Sequence, residues 1–209
     1  AVLGLGRYGT AVAKELVKNG ADVIAVDKNE QIVQDSSVYL PICKCADITD
    51  PEVISELGIS NADVVIVAMA SSLEGSILAI TLCKEAGVKT VIAKCANETH
   101  RKILKRVGAD TVVFPENESG TRLAKNLLTS GFTDILTLSD DLSLVELAAR
   151  DEWVGKSLKE LNLRKKYTVN VVAFRKNGKI TAPVNPEELL DKDTEIIAIV
   201  NTAKLSKLK

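Results

Sequence analysis

The chain has 209 residues, of which 46% are hydrophobic, 26% charged and only 3% aromatic; 27 Lys plus Arg against 28 Asp plus Glu leave a net charge of −1. No run of about 18 apolar residues occurs, which excludes a membrane-spanning helix. The balanced charge also lacks the basic excess of a nucleic-acid footprint, so no nucleic-acid partner is expected.

In chain order, aliphatic runs at 1–3, 22–26, 38–43, 64–68, 90–93 and 111–114 read as strands. Between and after them, residues 8–19, 31–36, 51–57, 73–86, 99–107 and 116–129 carry apolar positions at helical spacing. Gly20, Gly58, Gly87 and Gly108 fall just past helical stretches, where a left-handed residue ends the helix. Asp50-Pro51 reads as an N-cap followed by proline in the first turn. Six strands joined by helices predict an α/β fold, a Rossmann-like doubly wound parallel sheet. The helical pattern breaks at Gly131, and shorter strands follow at 135–138, 143–149, 169–175, 179–181 and 195–200. A helix at 157–161 and an Asn177-Gly178 hairpin turn complete a small α+β C-terminal lobe. The boundary is expected near 132, giving a nucleotide-binding domain at 1–132 and a lobe at 133–209.

Gly4-Leu5-Gly6-Arg7-Tyr8-Gly9 is a G-x-G-x-x-G loop directly after the first strand and before the first helix. Its glycines permit a tight turn, close approach of backbone to a phosphate, and close packing of helix on strand. The helix N-terminus then faces the anion. Asp27 ends the second strand, where a carboxylate accepts hydrogen bonds from ribose hydroxyls and repels a 2′-phosphate. Arg7 within the loop suits terminal phosphates such as those of ATP or ADP; its alternative is a solvated surface arginine. Ligands of such sheets sit at the carboxyl ends of strands. That rule adds Asp47, Met69, Ala70, Lys94 and Glu116 as candidates, and Lys28 and Ala68 are taken with them as cofactor-binding. Each is also compatible with a purely structural role, and Glu116 with a helix-dipole one.

Catalytic machinery is not legible. The only histidine, His100, opens an amphipathic helix and reads as a surface residue. There is no Tyr-x-x-x-Lys, nucleophile elbow or Walker A lysine. Cys43 and Cys45 form a C-x-C on one strand face, which is not a metal knuckle. With Cys83 and Cys95 they read as small buried hydrophobes of a reduced protein that lacks a secretory signal. A nucleotide pocket without catalytic groups points to sensing rather than turnover. The alternatives are an NAD-dependent oxidoreductase with an intersubunit substrate site, and a scaffold with a vestigial pocket.

The glycine loop, Asp27, Ala46-Asp47-Ile48-Thr49 and Val107-Gly108-Ala109-Asp110 together resemble an RCK (Trk-N) domain. Gly155-Lys156-Ser157-Leu158 and Leu163-Arg164-Lys165-Lys166-Tyr167 resemble the C-terminal lobe (Trk-C) of the same family. The resemblance implies a non-catalytic cytoplasmic regulatory subunit of a Ktr/Trk potassium uptake system. It implies dimers assembling into an octameric ring beneath a membrane potassium-translocating subunit, peripheral to the inner face of the membrane. ATP and ADP would hold different ring shapes, with NAD(H) as another occupant. By the same resemblance, Arg7 reaches terminal phosphates across a dimer interface and Asp27 holds the ribose. Asp47 and Ile48 line the adenine, and Glu116 coordinates a divalent cation. The helix at 116–129 would be the crossover helix that pairs subunits. Arg164, Asn170 and Pro186 would contact cyclic di-AMP, although Arg164-Lys165-Lys166 also reads as a solvated basic turn.

Overall fold

A computed structural model describes residues 1–128, 134–139 and 141–203. The chain divides into two compact units, Ala1–Pro115 and Glu116–Lys209. In the first unit, strands β1 (Val2–Leu3), β2 (Ile24–Asp27), β3 (Ile42–Cys45), β4 (Val64–Val67), β5 (Thr90–Lys94) and β6 (Thr111–Val113) pair in parallel. Helices α1 (Arg7–Lys18), α2 (Glu30–Ser37), α3 (Pro51–Glu56), α4 (Leu73–Glu85) and α5 (Glu98–Val107) connect them. The sheet order is β3-β2-β1-β4-β5-β6. The chain therefore winds outward in one direction from β1, then returns to β4 and winds in the other.

Alternate residues of a strand face opposite sides of the sheet, and the core divides accordingly. Leu3, Val26, Val65 and Val67 pack with Ile54, Ile80 and Leu104 from α3, α4 and α5. Val2 and Ala25, one residue out of phase, pack with Ala13 of α1 and Leu40. Aliphatic strands covered on both faces are what a parallel sheet requires. At the ends of α1, α4 and α5, Gly20, Gly87 and Gly108 take positive φ, and Gly58 does so after α3.

The second unit opens on α6 (Pro115–Leu128), whose first residue closes the first unit. An antiparallel sheet follows, with order β10-β9-β11-β8-β7. Its strands are β7 (Asp134–Thr137), β8 (Leu142–Ala148), β9 (Asn170–Lys176), β10 (Lys179–Thr181) and β11 (Glu195–Asn201), with helices α7 (Leu158–Leu161) and α8 (Leu163–Tyr167). Val145, Leu147, Phe174 and Ile196 form its core with Trp153, Leu161 and Leu163. Asn177 and Gly178 both take positive φ in the β9–β10 turn, as a tight hairpin of this composition requires. Ser157 and Glu160 form a capping box that starts α7.

Three sequence expectations shift. The strand expected at 38–43 begins only at Ile42, because the N–H groups of Tyr39 and Leu40 both donate to Ser36 O and extend the end of α2. Val38 and Tyr39 are exposed there. The basic segment Arg164-Lys165-Lys166 is helical, within α8, and is bounded by left-handed Asn162 and Thr168. Cys83 and Cys95 are buried as expected, but Cys43 is only half-buried and Cys45 is exposed on edge strand β3. The division between units falls after Pro115, the first residue of α6; the Ile135 N–H donates to the Asn126 side chain at 3.0 Å and Lys125 reaches Thr137, tying α6 to β7 within the second unit. Gly131 and the boundary placed near 132 lie outside the described residues. Among the described residues, no helix is long and apolar enough to cross a membrane.

Candidate nucleotide-binding site

A cleft of about 520 Å³ opens at the carboxyl ends of β1, β2 and β4, where the winding direction reverses. Its size falls in the range of small-molecule sites, about 300–1,000 Å³. Of the residues singled out from sequence, Gly4, Gly6, Asp27, Lys28, Asp47, Ile48, Ala68 and Met69 line it together.

Each glycine of the loop has its own reason. Gly4 takes φ +95°, and a Cβ there would stand 2.8 Å from the Met69 Cγ. Gly9 is buried in α1, and a Cβ there would meet the Gly4 carbonyl oxygen at an impossible distance. This glycine lets the helix sit against the loop. A Cβ on Gly6 would meet nothing within 4 Å. The space beside Gly6 is open to the cleft, as the approach of a phosphate requires.

The helix starts sharpen this. Asn29, Asp50, Ser72 and Asn97 cap α2, α3, α4 and α5 with their side chains. The first turn of a helix leaves its N–H groups without intrahelical partners. At α1 the cap is Gly6, which offers no side chain, and the first turn holds no acidic residue. Those N–H groups and the dipole favour an anion supplied from outside the chain.

Asp27 stands at the end of β2. Its Oδ2 accepts from the Leu5 N–H at 2.7 Å and its Oδ1 from the Asn29 N–H at 2.9 Å. Asp47 folds onto Thr49, accepting from its N–H at 3.0 Å and its hydroxyl at 2.7 Å. Those two bonds hold the Asp47 carboxyl below the ordinary carboxylate range, so it is ionised near neutral pH. Val26, Ile32, Ile48, Met69 and Leu78 supply the apolar wall against which a flat base can pack.

The other expected residues stand around this cleft or elsewhere. Leu5 is buried in the core against α1, and Arg7 is exposed as the first residue of α1. Tyr8 is half-buried, with the Lys94 ammonium 5.6 Å from its ring centroid. Ala70 is half-buried in the turn after Met69. Glu116 is exposed in the first turn of α6, in the second unit, as are Arg164 in α8, Asn170 at the start of β9 and Pro186 in the loop before β11. Among the described residues, no group of three or more His, Cys, Asp or Glu converges to hold a metal. His100 is half-buried in the first turn of α5.

Ser72, Glu74, Gly75 and Leu78, at the start of α4, also line the cleft and were not expected there. The Ser-x-x-Gly start of this helix was visible in the sequence. Its facing the glycine loop follows from the adjacency of β1 and β4, which the sequence order conceals.

A doubly wound parallel sheet with a glycine loop between its first strand and first helix, and an acid closing the second strand, defines a Rossmann-like domain; an antiparallel α+β lobe follows it in the chain. The comparisons agree and are more particular. The TrkA-N domain model matches residues 1–115 and the TrkA-C domain model residues 142–209. The Ktr system potassium uptake protein C of Bacillus subtilis is 34% identical over 209 residues, covering 100% of this chain and 95% of that protein. The Ktr system potassium uptake protein A of Vibrio alginolyticus is 33% identical over 210 residues, covering 100% of this chain and 96% of its own. Among solved structures, the GsuK channel superposes with a TM-score of 0.72 at 18% identity, over 99% of this chain and 38% of the channel chain. The GsuK channel bound to NAD gives 0.68 at the same identity and coverage. This chain thus spans less than half of those channel chains, and the likeness to them is one of fold. The chain belongs to the TrkA-N/TrkA-C (RCK) family.

Proposed function

We propose that this chain is the nucleotide-sensing regulatory subunit of a potassium uptake system, working without catalysis of its own. The observation that carries the role is the 34% identity to a Ktr potassium uptake protein along the whole chain, both lobes in the same order. The ligand class is supported by the open, uncapped start of α1 beside the cleft. In this reading ATP and ADP occupy the cleft, the phosphates at the N–H groups of α1 and the ribose at Asp27. Asp47 and Ile48 lie along the adenine, and Arg7 reaches terminal phosphates across a dimer interface. Glu116 contributes to a divalent-cation site.

The chain assembles through homodimers into an octameric ring. The ring sits in the cytoplasm against the inner face of the membrane, held there by a potassium-translocating partner. Exposed Leu123 and Leu127, four residues apart on α6, support that helix as the crossover that pairs subunits. Arg164, Asn170 and Pro186 form the contact for cyclic di-AMP in the C-terminal lobe.

A sensor must bind its ligands with different affinities in its two states, since a ligand with equal affinity for both shifts nothing. Calorimetric titration with ATP, ADP, NAD and NADH tests the ligand assignment. Binding of ATP and ADP at one site per chain, abolished by Gly6→Asp, is expected. Tight NAD(H) binding with none of ATP or ADP overturns the adenine-nucleotide assignment. Light scattering with and without ATP tests the ring; a dimer that stays a dimer in both conditions contradicts it.

A further inference from the structure

We infer that Asp27 is a positioning residue for the phosphate loop, holding the loop in its receiving shape before any ligand arrives. This role is separate from contact with a ribose and rests on the nucleotide-binding reading of the cleft. The β1–β2 ladder pairs Val2 with Ala25 and Leu3 with Val26, and the Gly4 N–H still donates to Val26 O at 2.8 Å. At Gly4 the backbone turns away with φ +95°, and the ladder ends. The next N–H, that of Leu5, is received instead by Asp27 Oδ2 at 2.7 Å. Thus a side chain at the end of β2 takes over where the strand's own carbonyls stop.

The Leu5 peptide is held at its other polar atom as well, since the Thr10 hydroxyl of α1 donates to Leu5 O at 2.7 Å. The Leu5 side chain is 3% exposed and packs in the core. Its N–H therefore sits where an unmet donor is costly. Asp27 is itself oriented by the Asn29 N–H on Oδ1. A carboxylate oxygen accepts more than one hydrogen bond, so a ribose diol can donate to Asp27 while the Leu5 bond stays in place. One group then reads the sugar and fixes the amides that read the phosphate.

The two roles separate with a ligand that has phosphates and no sugar. Inorganic tripolyphosphate is the probe, titrated into wild type, Asp27→Ala and Asp27→Asn. A residue that only contacts ribose is irrelevant to tripolyphosphate, and removing its negative charge strengthens binding of a polyanion. The positioning role predicts the opposite sign. Asp27→Ala weakens tripolyphosphate at least tenfold, while Asp27→Asn, which loses the charge but keeps one acceptor for the Leu5 N–H, binds it at least tenfold more tightly than Asp27→Ala. Unchanged or tighter binding by Asp27→Ala, or equal effects of the two variants, overturns the inference while leaving the nucleotide reading intact.

A second measurement needs no ligand. NMR-detected hydrogen exchange at the Leu5 amide of the free protein is expected to accelerate at least tenfold in Asp27→Ala, with the amides of β4 and β5 unchanged. Equal Leu5 exchange in wild type and variant overturns the inference. Wild type that binds none of ATP, ADP, NAD, NADH and tripolyphosphate overturns the nucleotide reading instead, and the exchange comparison still decides the role of Asp27.

Discussion

Gly6 and Gly9 lie three residues apart in one glycine motif, yet their replacement by alanine should fail in opposite ways. At Gly9 an added Cβ would overlap the Gly4 carbonyl oxygen and stand 3.1 Å from the Gly4 carbon and 3.2 Å from the Ala68 Cβ. The obstacle is backbone, so the loop and α1 must separate by about 1 Å or more. Overpacking of this kind costs about 1–3 kcal/mol and occasionally more, and rigid backbone on one side places Gly9→Ala at the upper end. For a unit of this size, about 3 kcal/mol corresponds to a Tm loss of roughly 10 °C.

At Gly6 the added methyl meets nothing within 4 Å, and φ is −62°, ordinary for alanine. The reduced freedom of the unfolded chain stabilises by about 0.4–1 kcal/mol. The poorer N-cap preference of alanine offsets it by a similar amount, about 1 kcal/mol. Gly6→Ala should therefore melt within a few degrees of wild type. Its methyl nevertheless occupies the approach to the N–H groups of α1, so affinity for ATP and ADP should fall at least tenfold, about 1.4 kcal/mol. Thermal melts followed by calorimetry separate the two. Wild-type affinity in Gly6→Ala would refute the placing of phosphate at this turn, and wild-type stability in Gly9→Ala would refute the packing argument.

Arg7→Ala should weaken ATP more than ADP, because an exposed guanidinium in the first turn of α1 adds most where terminal phosphate charge is greatest; equal losses for the two nucleotides would show that Arg7 does not read the terminal phosphate. Removing the fully buried Leu104 side chain of α5 should cost about 2–5 kcal/mol in urea unfolding, and a loss below about 0.5 kcal/mol would contradict the close packing of α5 on the sheet. Acid unfolding carries a signed expectation at Asp110, whose carboxylate receives Lys84 at 2.6 Å and the Val91 N–H at 2.6 Å. These bonds, that of Lys84 first, hold its carboxyl below the ordinary range. Its contribution is thus complete above the unfolded carboxylate pKa of about 3.9 and lost as pH falls through the lower folded value. Asp110→Asn should flatten the acid limb of stability against pH, and an unchanged limb would count against that pairing.

Much of the first unit was legible because its strands are aliphatic runs buried on both faces, and because glycines end its helices at 20, 87 and 108. Gly4 and Gly9 were legible because a positive φ at the first and the Gly4 carbonyl against the second leave no room for a side chain, whereas Gly6 and Asp27 were legible from their spacing alone. Where the reading slipped, local pattern and tertiary setting diverged. Val38 and Tyr39 are apolar and β-prone, yet they end a helix and face outward. Residues 163–167 form a helix too short to show a period, held by the burial of Leu163 and by left-handed ends. Cys45 shares a strand face with Cys43, but β3 is the sheet edge, and edge position is a property of strand order. The half of the cleft built by Ser72, Gly75 and Leu78 was hidden for the same reason. It exists because β4 lies beside β1, some sixty residues away in sequence.

The central claim is that nucleotide in this cleft controls potassium movement through a membrane partner. Its most direct test is the initial rate of potassium uptake into cells lacking other uptake systems, expressing the membrane subunit of the cognate system with wild-type chain, with Gly6→Ala, or alone. Uptake that requires the chain and is altered by Gly6→Ala at equal protein level is the predicted result. Uptake that is the same with wild type, with the variant and with no chain at all would contradict the account.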